Sequence, residues 1–304
     1  MGQEIGEIHF DDGSVAEFER RLREETGLLQ AMLADGKFSA RGGVGGYELE
    51  AWLVDHNGLP APNNVDFLAR LNHALVVPEL SRFNVELNGQ PQDLHGGALS
   101  AMAKELGDTW QHCQEVAHGM DTALMMVGIL PTVRQQDLNL ANMSESRRYR
   151  ALNEQVLRRR AGRPLRISIV GRERLELSHP DVMLEAATTS FQLHLQCAQQ
   201  DAVRYFNASL ICAGPMLAAA GNSPYLFGAD LWDETRVPLF EQAVEPAGQA
   251  GTSRHRVCFG HGYARESVAE CFTDNLDTYP VLLPMMSSEA PHRFAHLRLH
   301  NGTI

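Results

Sequence analysis

Two glutamates, Glu48 and Glu50, stand two residues apart in the run Gly-Gly-Val-Gly-Gly-Tyr-Glu-Leu-Glu-Ala-Trp-Leu-Val that begins at Gly42. Alternate residues of a strand point the same way, so the pair shares one face, with α-carbons roughly 6.6 to 7 Å apart. Two flexible carboxylates at that spacing can converge on one hard divalent cation or flank two, and magnesium suits such oxygen ligands. A solvated strand can carry the same pair, and for an isolated Glu-x-Glu that is the simpler explanation.

The surrounding strands change the balance. Over residues 82–88, Phe83, Val85 and Leu87 fall on one face and Arg82, Asn84, Glu86 and Asn88 on the other. Phe191, Leu193 and Leu195 oppose Gln192, His194 and Gln196, and near the end Leu297 and Leu299 oppose His296, Arg298 and His300. Several strands with one oily and one polar face predict an antiparallel sheet with helices packed on the apolar side and an open polar side. A strand face that meets only water favours Thr, Lys and Ser. This one carries Glu, Gln, His, Arg and Asn, which hold metals, carboxylates and phosphates.

The elements that must position these residues follow from periodicity. Helices are predicted over residues 15–33, 98–120, 148–160, 201–212 and 235–243, and strands around Glu48 and over 82–88, 125–131, 165–170 and 188–196. The glycine cluster precedes a strand instead of opening a helix, so it is not a dinucleotide fingerprint. Pro60, Pro62, Asn63 and Asn64 mark a loop, residues 134–147 are a polar stretch, and no repeat or linker divides the 304 residues, which read as one domain.

Composition narrows the function. With 44% hydrophobic and 21% charged residues the chain can bury a sizeable core. A net charge of -12 argues against nucleic acid or an anionic membrane as partner. The only lysines, Lys37 and Lys104, follow no Gly-x-x-x-x-Gly run, which excludes a P-loop. The five cysteines contain no Cys-x-x-Cys spacing and are expected to be reduced. No Gly-x-Ser-x-Gly elbow marks a hydrolase. The start has no basic, then apolar, leader, and the longest apolar run, 123–130, is too short to span a bilayer, so a cytoplasmic location is expected.

Six ordered segments carry a resemblance: the Glu-x-Glu strand, Phe-Asn-Val-Glu-Leu-Asn-Gly-Gln-Pro from Phe83, Ala-Thr-Thr-Ser-Phe-Gln-Leu-His-Leu from Ala187, Gly-Asn-Ser-Pro-Tyr-Leu-Phe-Gly from Gly221, Leu-Trp-Asp-Glu-Thr-Arg from Leu231, and His-Leu-Arg-Leu-His-Asn-Gly-Thr-Ile from His296. Together they resemble the glutamate-cysteine ligase type 2 family and its carboxylate-amine ligase relatives. The resemblance implies an α+β fold, an antiparallel sheet funnel with helices outside, akin to glutamine synthetase and guanido kinases. It also implies an ATP-dependent reaction in glutathione biosynthesis. Glutamate is activated as a γ-glutamyl phosphate and captured by cysteine, with magnesium as cofactor.

By matching positions, the resemblance makes Glu48, Glu50 and Glu86 the metal ligands, with Glu86 also near the glutamate substrate. Gln192 and His194 would touch nucleotide phosphate or metal, and Arg298 and Asn301 the nucleotide. Asn222 and Ser223 would line the substrate pocket, and Arg236 would clamp a carboxylate or phosphate as the catalytic arginine. The structural alternatives are a Glu86–Arg82 salt bridge, a hydrogen-bonded His194, an ion pair of Arg236 with Asp233 or Glu234, and a turn at Asn222 and Ser223. Family members run beyond the last motif, so a chain shortened at its C-terminus is expected. Two other functions stay open: a ligase of the same family using a different small amine, and a noncatalytic metal or metabolite sensor.

Overall fold

A 12-residue strand organises the molecule. The computed structural model describes residues 10, 12–245 and 256–302. A first helix, α1 (Asp12–Ala34), leads to the strand β1 (Val44–Asp55). After it come α2 (Asn64–Leu71), β2 (Val76–Pro78), β3 (Asn84–Asn88), β4 (Gln92–Asp93), α3 (Ala98–His118) and β5 (Thr122–Met125). Next follow α4 (Arg147–Arg159), the hairpin β6 (Leu165–Val170) and β7 (Arg174–His179), a 3₁₀ turn at Val182–Ala187, and β8 (Phe191–Gln196). The remainder holds α5 (Ala202–Ala220), β9 (Tyr225–Leu226), β10 (Ala229–Asp230), α6 (Arg236–Ala243), α7 (Ala269–Thr278) and α8 (Ala295–Gly302). β1 pairs antiparallel with β3, β4, β5 and β8, and β2 pairs antiparallel with β3. The result is a mixed helix and antiparallel-sheet fold.

The two faces of β1 are covered differently. Leu49, Ala51 and Leu53 are buried with Val85 and Leu87 of β3 against Phe67 and Leu71 of α2 and Cys113 and Ala117 of α3. On the other face Trp52 and Val54 enter a second core with Phe83, Ile129, Ile167, Ile169 and the 3₁₀ residues Val182, Met183 and Leu184. Trp52 stacks on Phe83 at 5.3 Å between ring centroids. That second face is therefore apolar at one end and carries Glu48 and Glu50 at the other. The hydrophobic layer there ends at a cavity. A third core, Phe18, Leu22 and Leu29 with Val281 and Leu297, joins α1 to α8.

Several expectations need correction. The stretch 296–300 is helical, not a strand. His-Leu-Arg-Leu-His alternates, but His296 and His300 are also four residues apart, and both are buried on one side of α8 while Arg298 points outward. The strand expected over 125–131 ends at Met125, where an irregular segment begins. There a β-carbon on Gly128 would meet the Asn222 Oδ1 at 2.6 Å, so the close approach requires glycine. α2 and β7 were not anticipated, and α5 continues through Pro215 to Ala220. Among the described residues, helices cover the apolar side of β1 and β3 but not that of β8, where Phe191, Leu193 and Leu195 are 52%, 61% and 49% exposed. Among the described residues, no helix is long and apolar enough to cross a membrane.

Candidate active site

A cavity of about 1130 Å³ opens on the carboxylate end of the second sheet face. Strand register assembles its floor: Glu50 lies opposite Glu86, Glu48 opposite Gln192, and His194 opposite Gly46. Like charges facing each other across an antiparallel pair are unfavourable. Here the opposition is also sheltered from water, since Glu86 is buried and Leu68, Val77 and Phe240 line the same space.

Each acid answers this differently. The Ser190 amide donates to the Glu50 Oε2 at 2.9 Å and its hydroxyl to the Oε1 at 3.0 Å. Even so, burial pushes the Glu50 carboxyl up to about 7, helped by the neighbouring Glu86 and Glu48 charges and opposed by Ser190. Glu86 is 4% exposed and accepts from the Asn88 side chain at 2.7 Å. It is hydrogen-bonded to Glu79, whose carboxyl is raised well above its usual range, chiefly by burial and then by the Glu50 and Glu86 charges. The partners of Glu86 are thus Asn88 and Glu79, not Arg82.

Glu185, on the 3₁₀ turn, completes the group. Burial pushes its carboxyl up to about 7, with Glu50 adding to the rise and Arg148 opposing it. Its Oε2 is shielded from solvent and has no hydrogen-bond partner. Neither Glu79 nor Glu185 was singled out from the sequence. A carboxylate inside the apolar run Val-Met-Leu-Glu-Ala-Ala, residues 182–187, is the signal that marks Glu185, since a Glu among apolar neighbours is rarely left unpaired.

The other candidates divide. His194 lies at the rim, its side chain 53% exposed, with Nε2 3.4 Å from the Glu48 Oε2. Gln192 Nε2 donates to the Ser190 hydroxyl at 3.3 Å. Arg236 lines the cavity but is committed elsewhere: Nε and Nη2 donate to the two Glu234 oxygens at 2.6 and 3.0 Å, and Nη1 to the Thr189 carbonyl at 3.0 Å. This is the Glu234 ion pair, and a bidentate pair of this kind is both strong and directional.

Asn222 and Ser223 do not line the cavity. The Gly128 amide donates to the Asn222 Oδ1 at 3.1 Å, and the Ser223 hydroxyl donates to Glu234 at 3.0 Å, so both brace the loops behind Arg236. Arg298 and Asn301 are likewise absent from its lining. On α8, Arg298 sits 3.7 Å from Glu289, and Asn301 is bonded to Asn275 and the Leu297 carbonyl. The nucleotide contacts that the resemblance implied for them would therefore lie outside this cavity, on α8.

Among the described residues, no three His, Cys, Asp or Glu side chains converge as a ready-made metal cage. Glu48, Glu50 and Glu86 share a face without meeting at a point. Their chemistry still fits a hard cation: oxygen donors only, crowded, buried, and with one neighbouring oxygen left without a partner.

The sheet, its helices and the buried acids together enclose one carboxylate-lined cavity. Residues 44–271 match the model of glutamate-cysteine ligase family 2 (GCS2), and the chain belongs to that family. Among solved structures it is similar to the glutamate-cysteine ligase (gshA) of Francisella tularensis in complex with AMP, at 16% identity and a TM-score of 0.36. The likeness covers 59% of this chain and 30% of that enzyme. No curated protein matches the chain.

Proposed function

We propose that this protein is an ATP-dependent carboxylate-amine ligase that joins glutamate to cysteine through a γ-glutamyl phosphate. The observation that carries the reading is the set of acids buried in one cavity of a chain that belongs to this family. A glutamate side-chain oxygen attacks the γ-phosphorus and ADP departs. The amine then attacks the acyl carbon, phosphate departs, and the amine loses a proton. In this reading the sheet is part of a funnel of the glutamine synthetase type.

Glu48, Glu50 and Glu86 would hold magnesium, with Glu79 beside them. The ion would supply charge neutralisation between nucleotide phosphates and the incoming carboxylate. The chain's own groups do the positioning. Ser190 fixes both oxygens of Glu50, and Arg236, anchored by Glu234, holds the Thr189 carbonyl and so the start of β8. Gln192 steadies Ser190, and His194, at the rim beside Glu48, would meet phosphate. The apolar wall keeps water from the acyl phosphate.

The test is magnesium-dependent ADP release by the full chain with L-glutamate, with and without L-cysteine, beside a Glu48→Gln plus Glu50→Gln variant. Release that needs cysteine and disappears in the variant is expected. Release with other amines but not cysteine would reassign the nucleophile, and no release under any condition would leave a binding role.

A further inference from the structure

The cavity acids are not equivalent, and Glu185 stands apart from the rest. It comes from the 3₁₀ turn and not from the sheet, and the Arg148 charge bears on it from the same cavity. Arg148 lies in the first turn of α4, which packs against that 3₁₀ turn, so the backbone fixes the two charges relative to each other. Its guanidinium lies against the Tyr149 ring, 5.4 Å from the centroid. Glu145, Ser146, Arg148 and Tyr149 all line the cavity, so the helix opens toward it with the end that favours anions.

A divalent cation is a poor occupant of this corner, because Arg148 would repel it. An ammonium carrying its own carboxylate is a better one. It offers the donor that the bare Glu185 Oε2 lacks, and it presents an anion to Arg148 and the α4 N-terminus. The geometry points to Glu185 and Arg148 as the pair that reads the α-ammonium and α-carboxylate of an amino-acid substrate. This rests on the ligase reading for the identity of that amino acid and gives the site its specificity for α-amino acids over plain dicarboxylates. Glu185 is shielded enough that leaving it unmatched disfavours ligands without an ammonium, which is how a buried polar group produces discrimination.

The experiment measures binding, by calorimetry on the full chain with magnesium and ADP present, of three ligands: L-glutamate, glutarate, which lacks the ammonium, and 4-aminobutyrate, which lacks the α-carboxylate. The natural chain should prefer glutamate over glutarate by roughly 10- to 100-fold, the worth of a charge-assisted hydrogen bond to a shielded group. Glu185→Gln should abolish that preference while glutarate binds as before, which also certifies the fold. Arg148→Gln should weaken glutamate and glutarate alike and spare 4-aminobutyrate.

Preference retained in Glu185→Gln, equal loss of glutamate and glutarate there, or no binding of any of the three ligands by the natural chain would overturn the inference. The ligase reading is tested separately. A chain that discriminates through Glu185 but releases no ADP keeps this inference and refutes that reading, and ADP release with discrimination intact in Glu185→Gln does the reverse.

Discussion

Two of the regions that bury carboxylates do so in opposite ways. Between α1 and α8, Glu25 is 2% exposed, yet each oxygen is matched: the His296 ring lies 2.7 Å from Oε1, and the Leu297 amide donates to Oε2 at 2.8 Å. The other ring nitrogen accepts from the Ser287 amide, and the ring packs edge-on against Phe18. In the cavity, by contrast, Glu50 faces Glu86, Glu79 crowds against Glu86, and the Glu185 Oε2 has no hydrogen-bond partner. An acid that holds helices together is neutralised by the fold itself. Acids that await a ligand keep an unmet desolvation cost, sustained because the surrounding sheet and turns overdetermine their positions.

If that contrast is real, substitutions should break it in opposite directions. The largest effect is expected at Glu25. Glu25→Ala strands a buried imidazole and a backbone amide and should cost about 3 kcal/mol in denaturant unfolding. Glu185→Gln, which removes an acid whose Oε2 has no hydrogen-bond partner, should leave stability unchanged or raise it by about 1 kcal/mol. Equal losses at the two sites would dissolve the distinction.

Next comes pH. Glu50 and Glu185 sit near 7 in the folded chain against an ordinary 4.5, so the folded state holds these protons more tightly than the unfolded. Their contribution to stability is fully present below about pH 4.5 and is lost as pH rises to about 7, by up to about 1.4 kcal/mol per unit for each group. Unfolding measured across this window should show the decline, and the Glu50→Gln plus Glu185→Gln variant should flatten it. A smaller effect is expected from Ser190→Ala. Losing one of two donors lifts Glu50 further, so ADP release should fall about tenfold at neutral pH and recover partly at higher pH. Smallest of all, Arg298→Ala should leave ADP release within about twofold of the natural chain, since that residue lies on α8 outside the cavity.

What could be read in the sequence was what a strand period displays. Glu48, Glu50, Glu86, Gln192 and His194 all lie at the cavity because residues alternate and antiparallel register aligns them. Where period carries no information, residues were missed or misplaced. Glu79 follows Pro78 just beyond a three-residue strand, and Glu185 lies in a 3₁₀ turn buried on most sides, so neither belongs to a face that a pattern can reveal. Asn222 and Ser223 sit in a loop whose hydrogen bonds run to Gly128 and Glu234, contacts with no local signature. The segment 296–300 satisfied two periods at once, and burial of His296 beside Glu25 selected the helix. The exposed apolar side of β8 departs from the rule that helices cover such faces, a rule that held for β1 and β3.

The central claim is that the carboxylates crowded into the cavity are there to be balanced by a cation and its ligand. The most direct measurement is manganese binding followed by electron paramagnetic resonance at pH 8 with ADP present, comparing the full chain with its Glu50→Gln plus Glu86→Gln variant. Saturable binding by the natural chain that is lost in the variant is the predicted result. Binding of equal strength in both, or in neither, would contradict it.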